Sequence, residues 1–215
     1  MKRFFLFFLL LQATGINAQT AAEIKSRQIK LPNGWYLSPV GKSISLGDLP
    51  LNIAVSPGKQ FIAVTNNGQS TQSIQLIDVK TEKILDSITI PKSWYGLQFS
   101  ADEKYLYSSG GNDNWILKYE IVRRRLITRD TIKLGGSWPD KISPSGIAID
   151  DSRHLLYVVT KENNSLYVVD LHSKKITDKI DLGGEAYACA LSANKKELFI
   201  SCWGCDKIII FNTTQ

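Results

Sequence analysis

Histidine and cysteine are scarce: the 215-residue chain has two of the first and three of the second. That leaves little material for a metal centre and too few thiols for a disulfide scaffold. Charged residues are only 21% of the chain against 43% hydrophobic, a balance that excludes a disordered polyelectrolyte. No glycine-rich phosphate loop, dinucleotide fingerprint or nucleophile elbow occurs. Long helical patterns are missing too. The apolar segments are rich in Val, Ile, Tyr and Phe and are broken every few residues by Gly, Pro, Asn or Asp, which argues against a helical bundle. The chain is therefore expected to be no enzyme by itself, to need no cofactor and to hold no metal.

What is present begins with a targeting pattern. Met1-Lys2-Arg3 is a basic start, Phe4 to Leu11 is an unbroken apolar run, and Ala13 to Ala18 is a stretch of mostly small residues. This is the order of a secretory signal, expected over residues 1–18. The run is too short to span a bilayer, which takes roughly 20 apolar residues. The mature protein is expected to be exported, periplasmic or secreted, with no transmembrane segment left. The formal charge of +6, less Lys2 and Arg3, leaves +4. Residues 19–41 read as a lead-in.

The dominant signal is a fourfold internal repeat. Leu51-Asn52-Ile53-Ala54-Val55-Ser56 aligns with Tyr95-Gly96-Leu97-Gln98-Phe99-Ser100, then with Ser145 to Asp150 and Tyr187 to Ser192. From Ser56, the steps to Ser100, Asp150 and Ser192 are 44, 50 and 42 residues. Each copy continues with a second strand (Phe61–Asn66, Tyr105–Gly110, Leu155–Thr160, Leu198–Trp203) and a third (Ser73–Val79, Trp115–Val122, Ser165–Leu171, Lys207–Asn212). Three copies add a fourth, at Lys83–Ile90, Leu126–Leu134 and Lys175–Leu182. Four short antiparallel strands in 40 to 50 residues make one propeller blade, and blades bury their two apolar faces only by packing side by side. Gly96, Gly146 and Ala188 suit the crowded innermost strand. Asp78 and Asp170, each followed three residues later by Thr81 or Ser173, suit hairpins closed by side-chain bonds.

The expected fold is thus all-β, a β-propeller with about four blades present, an open arc cut from a larger ring, with a closed four-bladed ring as the alternative. The blades span 42–215: a lone outer strand at 42–47 (core Lys42–Leu46), blades at 49–91, 92–135 and 143–183, and an incomplete blade at 185–212. In an open arc, Lys42–Leu46 and Lys207–Asn212 are expected not to pair.

At Ala63-Val64-Thr65-Asn66 and Tyr157-Val158-Val159-Thr160 the second strands resemble the YVTN-type repeat, and the mature chain resembles YncE-like propellers of exported bacterial proteins. Leu31-Pro32-Asn33-Gly34-Trp35, Trp138 to Pro144 and Leu198 to Lys207 further resemble proteins in which such a propeller precedes an alkaline-phosphatase-like phosphoesterase domain. The resemblance implies a seven-bladed ring, a phosphoesterase region outside this chain, and an association with single-stranded DNA. One departure is Ser56-Pro57-Gly58-Lys59, which lacks the Asp that the family turn carries before its Gly.

Strand direction sorts the loops onto two faces. One face is expected to form a polar, aromatic mouth holding Trp94, Tyr95, Asn112, Asp113, Asn114, Trp138, Tyr187 and Trp203. Flat apolar area with a polar handle suits an unidentified ligand or protein partner. Packing between blades is the competing role for Trp94 and Tyr187. The other face gathers Lys83, Arg123, Arg124, Arg125, Lys174 and Lys175, a candidate surface for an anionic polymer such as single-stranded nucleic acid, or simply solubilising turn residues. His154 and His172 fall in hairpin turns and read as solvated. Asn112-Asp113-Asn114 reads as a turn rather than a cation site. Cys202-Trp203-Gly204-Cys205 is a C-x-x-C that is neither a haem site nor at a helix start, and either free thiols or a local disulfide fit it. Cys189 reads as a small core residue.

Overall fold

The computed structural model describes residues 25–26, 28–38, 41–137, 139–203 and 205–214. The expected signal at 1–18 lies outside them. The chain falls into two compact units divided after Ser43. In the first, β1 (Ile29–Lys30) pairs with β2 (Tyr36–Leu37). Their connection uses Asn33, whose Oδ1 accepts the Trp35 N–H, and Gly34 at φ 85°.

The second unit is a β-propeller of four consecutive antiparallel blades. Blade one is β3 (Pro50–Val55), β4 (Phe61–Asn66), β5 (Ser73–Asp78) and β6 (Lys83–Thr89). Blade two is β7 (Leu97–Phe99), β8 (Tyr105–Ser109), β9 (Trp115–Val122) and β10 (Arg125–Lys133). Blade three is β11 (Pro144–Asp150), β12 (Leu155–Thr160), β13 (Ser165–Asp170) and β14 (Lys175–Asp181). Blade four has β15 (Ala186–Leu191), β16 (Glu197–Cys202) and β17 (Lys207–Asn212). Neighbouring inner strands pack against each other, β3 on β7, β7 on β11 and β11 on β15.

The period-two alternation of each strand builds three separate cores between blades. Ala63, Ile74 and Leu76 of blade one meet Leu97, Leu106 and Tyr119 of blade two. Tyr107 and Ile116 on the other face of blade two meet Leu156 and Val158 of blade three. Tyr157 and Val159, alternating with those two along β12, meet Leu198 and Ile200 of blade four. The inner strands approach so closely that a Cβ on Gly96 would lie 2.4 Å from the Ser145 carbonyl oxygen, and one on Gly146 2.7 Å from the Ala188 Cα. Only glycine fits these two positions without a shift of the neighbouring backbone.

The turn chemistry follows the repeat. Asp78 accepts bonds from the Thr81 N–H and hydroxyl, and Asp170 accepts the same pair from Ser173. Lys42–Leu46 is a correction: it forms no strand, and β17 carries no fourth partner among the described residues. A strand needs a ladder neighbour to satisfy its backbone groups, and among the described residues no strand pairs with this segment. Among the described residues no apolar core joins blade four to blade one. Their outward faces stay open: Ile53 is 61% exposed, Ile208 70% and Ile210 61%.

Candidate functional site

The inner strands place the mouth residues through a repeated irregularity. Pairing of β3 with β4 skips Leu51, and pairing of β15 with β16 skips Tyr187. One extra residue in a strand re-aims its side chain and frees a neighbouring amide. A second-strand hydroxyl takes that amide: Asn52 N–H donates to Thr65 Oγ1 at 3.2 Å, Gly96 N–H to Ser109 Oγ at 2.9 Å, and Ala188 N–H to Ser201 Oγ at 3.2 Å. Tyr95 occupies the position equivalent to Leu51 and Tyr187. Its carbonyl accepts from the Asn52 side-chain Nδ2 at 2.5 Å, and the Tyr187 carbonyl accepts from Ser145 Oγ at 2.7 Å.

Blade three carries the small Ser145 where blades two and four carry tyrosine. The two rings therefore meet across it, centroids 5.1 Å apart. Tyr187 in turn meets the Trp203 ring edge-on at 5.3 Å. The Lys161 ammonium stands 5.4 Å from the Trp203 centroid. Trp203 is 59% exposed, and both tyrosines are half-buried. Three aromatics from two blades, with a cation from the blade between, form one continuous platform. Such a platform offers stacking area and one positive charge. Lys161 was not among the residues singled out from sequence. Its place directly after β12, in the loop that also holds Asn163 and Asn164, is the signal that points to it.

The other expected mouth residues form a different group. Trp94 and Asn112 line a shallow recess with Asn67 and Gln72. A single 3-10 turn spans Gly111–Asp113, and Asp113 pairs with Lys92 at 3.0 Å. Asn114 is fully buried at φ 59°. Its amide donates to the Gly136 and Asp140 carbonyls at 2.7 and 2.6 Å, and its Oδ1 accepts the Ser143 N–H at 2.9 Å. Asn114 thus latches the long loop between blades two and three. Trp138, another of the expected mouth residues, lies outside the described residues.

On the opposite face, Arg124 pairs with Asp78 and Lys174 with Asp130, each reaching back to the preceding blade. Lys83, Arg123, Arg125 and Lys175 are exposed. His154 and His172 are exposed in their turns, and pairing of β12 with β13 also brings their rings together, 4.1 Å apart at 56°. Burial pushes the Cys189 thiol up to about 12.

No family model matches the chain. It is 26% identical over 152 residues to a prolyl endopeptidase of Elizabethkingia miricola, covering 64% of this chain and 21% of that protein. Among solved structures it superposes on Kuenenia stuttgartiensis hydrazine synthase with a TM-score of 0.65 at 18% identity, covering 83% of this chain and 49% of the other. It superposes on the β-propeller domain of Myceliophteria thermophila Cps50 (Swd1) with a TM-score of 0.62 at 14% identity, covering 76% and 53%. The chain thus spans about half the length of these structures and about a fifth of that relative. What the likeness to solved structures establishes is the fold: this chain is built as a β-propeller.

Proposed function

We propose that the chain is a non-catalytic binding and scaffold module, four blades of a larger exported propeller that precedes a phosphoesterase domain. The observation that carries the binding role is the Tyr95–Tyr187–Trp203 platform with Lys161 beside it. The larger ring is supported by the open apolar faces of blades one and four and by the half-length coverage of the superposed structures. Seven blades and the phosphoesterase link rest on the YncE-like resemblance. A second reading is a stand-alone propeller that binds an anionic polymer, and the exposed Lys83, Arg123, Arg125 and Lys175 favour it.

The coding DNA beyond Gln215 separates the two: further blades and a phosphatase-like region support the first, and a stop codon supports the second. For binding itself, a fluorescein-labelled single-stranded oligonucleotide is titrated at low and high salt. Weakening by Arg123→Ala with Arg125→Ala, but not by Trp203→Ala, identifies the basic face. Weakening by Trp203→Ala alone identifies the mouth. The isolated chain is expected to release no p-nitrophenol from p-nitrophenyl phosphate with or without Zn²⁺. Metal-dependent turnover that vanishes in His154→Ala or His172→Ala overturns the non-catalytic reading.

A further inference from the structure

The turn between β16 and β17 holds Trp203 and Cys205, and Cys202 pairs across the ladder with Lys207. The backbone therefore reverses within four residues. In so tight a reversal, positions three apart have α-carbons within about 7 Å, close to the window of about 4.4–6.8 Å in which a disulfide closes. The side chains use that proximity: the Cys205 thiol is near enough to the Cys202 thiol to raise it. Cys205 Sγ fills the space above Gly184, where a Cβ would come within 2.4 Å of it. Access differs between the two. Cys202 is only 7% exposed, whereas Cys205 is half-buried. Burial and the neighbouring Cys205 thiol push the Cys202 thiol up, and the Lys207 ammonium pulls it back.

We propose that Cys202 and Cys205 form a dithiol–disulfide site whose oxidant is a low-molecular-weight disulfide such as oxidised glutathione, and that the bridge fixes the turn carrying Trp203. The more accessible Cys205 thiolate attacks one sulfur of the reagent; that S–S bond breaks and one glutathione leaves as thiolate. The Cys202 thiolate then attacks the Cys205 sulfur of the mixed disulfide and expels the second glutathione. Two electrons pass from the cysteines to the reagent, and their two protons end on two glutathione thiols. Because Trp203 lies inside the bridged loop, closure removes backbone freedom on both sides of it and holds the ring at Tyr187. Bridge formation does not depend on what the mouth binds. Only its use as a regulator of the mouth rests on the proposed binding role.

The folded chain is equilibrated across a series of oxidised-to-reduced glutathione ratios, quenched in acid, and read by intact mass and peptide mapping. Both cysteines fall in one tryptic peptide, 197–207. The expected result is loss of two hydrogens from that peptide, retained in Cys189→Ser and abolished in Cys205→Ser. Acrylamide quenching of the Trp203 signal, taken as wild type minus Trp203→Phe, is expected to fall on oxidation. Stable glutathione adducts without a bridge, no mass loss at any ratio, or a bridge to Cys189 overturns the site. A bridge that leaves the quenching unchanged overturns its hold on Trp203.

Discussion

Asp150 shows how one residue changes a repeat's wiring. The equivalent Ser56, Ser100 and Ser192 only close their own hairpins through hydroxyl bonds to backbone amides. Asp150 does this with the Ser152 N–H at 3.0 Å, and its fully buried carboxylate also meets Arg153 at 2.5 Å and Lys195 of blade four at 3.0 Å. Arg153 continues into blade four by donating to the Lys195 carbonyl at 2.8 Å. Burial alone would raise the Asp150 carboxyl, but the bonds from Ser152, Arg153 and Lys195 outweigh it and hold the group well below the ordinary carboxylate range. Removing one partner of a buried ion pair costs about 3–5 kcal/mol, and the partial exposure of both cations puts Asp150→Ala near the lower end. A group lowered on folding contributes fully above its unfolded value of about 4, and the contribution is lost as pH falls from there through the lower folded value. The stability gap between wild type and Asp150→Asn in urea melts should therefore narrow progressively as pH falls below about 4. A stability gap that stays constant down to pH about 2 refutes this role.

Asn114 makes a different point at the same scale. Its type and place in the repeat suit a polar mouth, yet its amide is taken up by partners 22 to 29 residues away. Nothing local in Asn112-Asp113-Asn114 signals those partners, because the loop that supplies them is held in place only by the folded blades. Asn114→Ala strands the buried Ser143 N–H, worth about 1–3 kcal/mol when left unpaired, and leaves the carbonyls of the exposed Gly136 and Asp140 to water. Chemical denaturation of that variant should show a loss of that size. A change within about 0.5 kcal/mol, typical of an unconstrained surface position, argues against the latch.

At the level of the strand, the repeat was legible almost residue by residue, because period-two alternation and turn residues are local signals. Phe61–Asn66, Leu155–Thr160 and Lys207–Asn212 form as the sequence implies. The first strand of blade two is shorter, starting at Leu97 rather than Tyr95. There the Gly96 N–H turns to a side-chain acceptor, Ser109 Oγ, so the regular ladder begins two residues later. The skipped residues in β3 and β15 were not legible, since a bulge is a property of two paired strands and not of one. The hydroxyls that serve them differ in environment. Ser109 is fully buried, whereas Ser201 is exposed. Ser109→Ala should cost about 1–3 kcal/mol by stranding the Gly96 amide away from water. Ser201→Ala should stay within about 0.5 kcal/mol. Equal losses in thermal melts of the two variants count against the hydroxyl–bulge account.

Over the whole molecule, the alternation that builds three inter-blade cores also leaves two apolar faces without a neighbour among the described residues. Leu198 and Ile200 point into blade three, so Phe199 between them points out; Ile209 and Phe211 pack on the same core, so Ile208 and Ile210 face solvent. On blade one, Ile53 and Val55 do the same. A strand cannot present apolar residues to both neighbours and lose one neighbour without exposing the set, so these exposures follow from the repeat itself. Contiguous apolar surface of this kind, beside the open edge of β17, favours association. The isolated chain should therefore associate increasingly with concentration in sedimentation velocity. Ile208→Lys with Ile210→Lys should shift it toward monomer while leaving the melting midpoint nearly unchanged, because neither side chain contributes to a buried core. A wild-type chain that stays monomeric across the concentration range and melts cooperatively shows that the two faces are satisfied some other way, and the reading of blades one and four as open ends then fails.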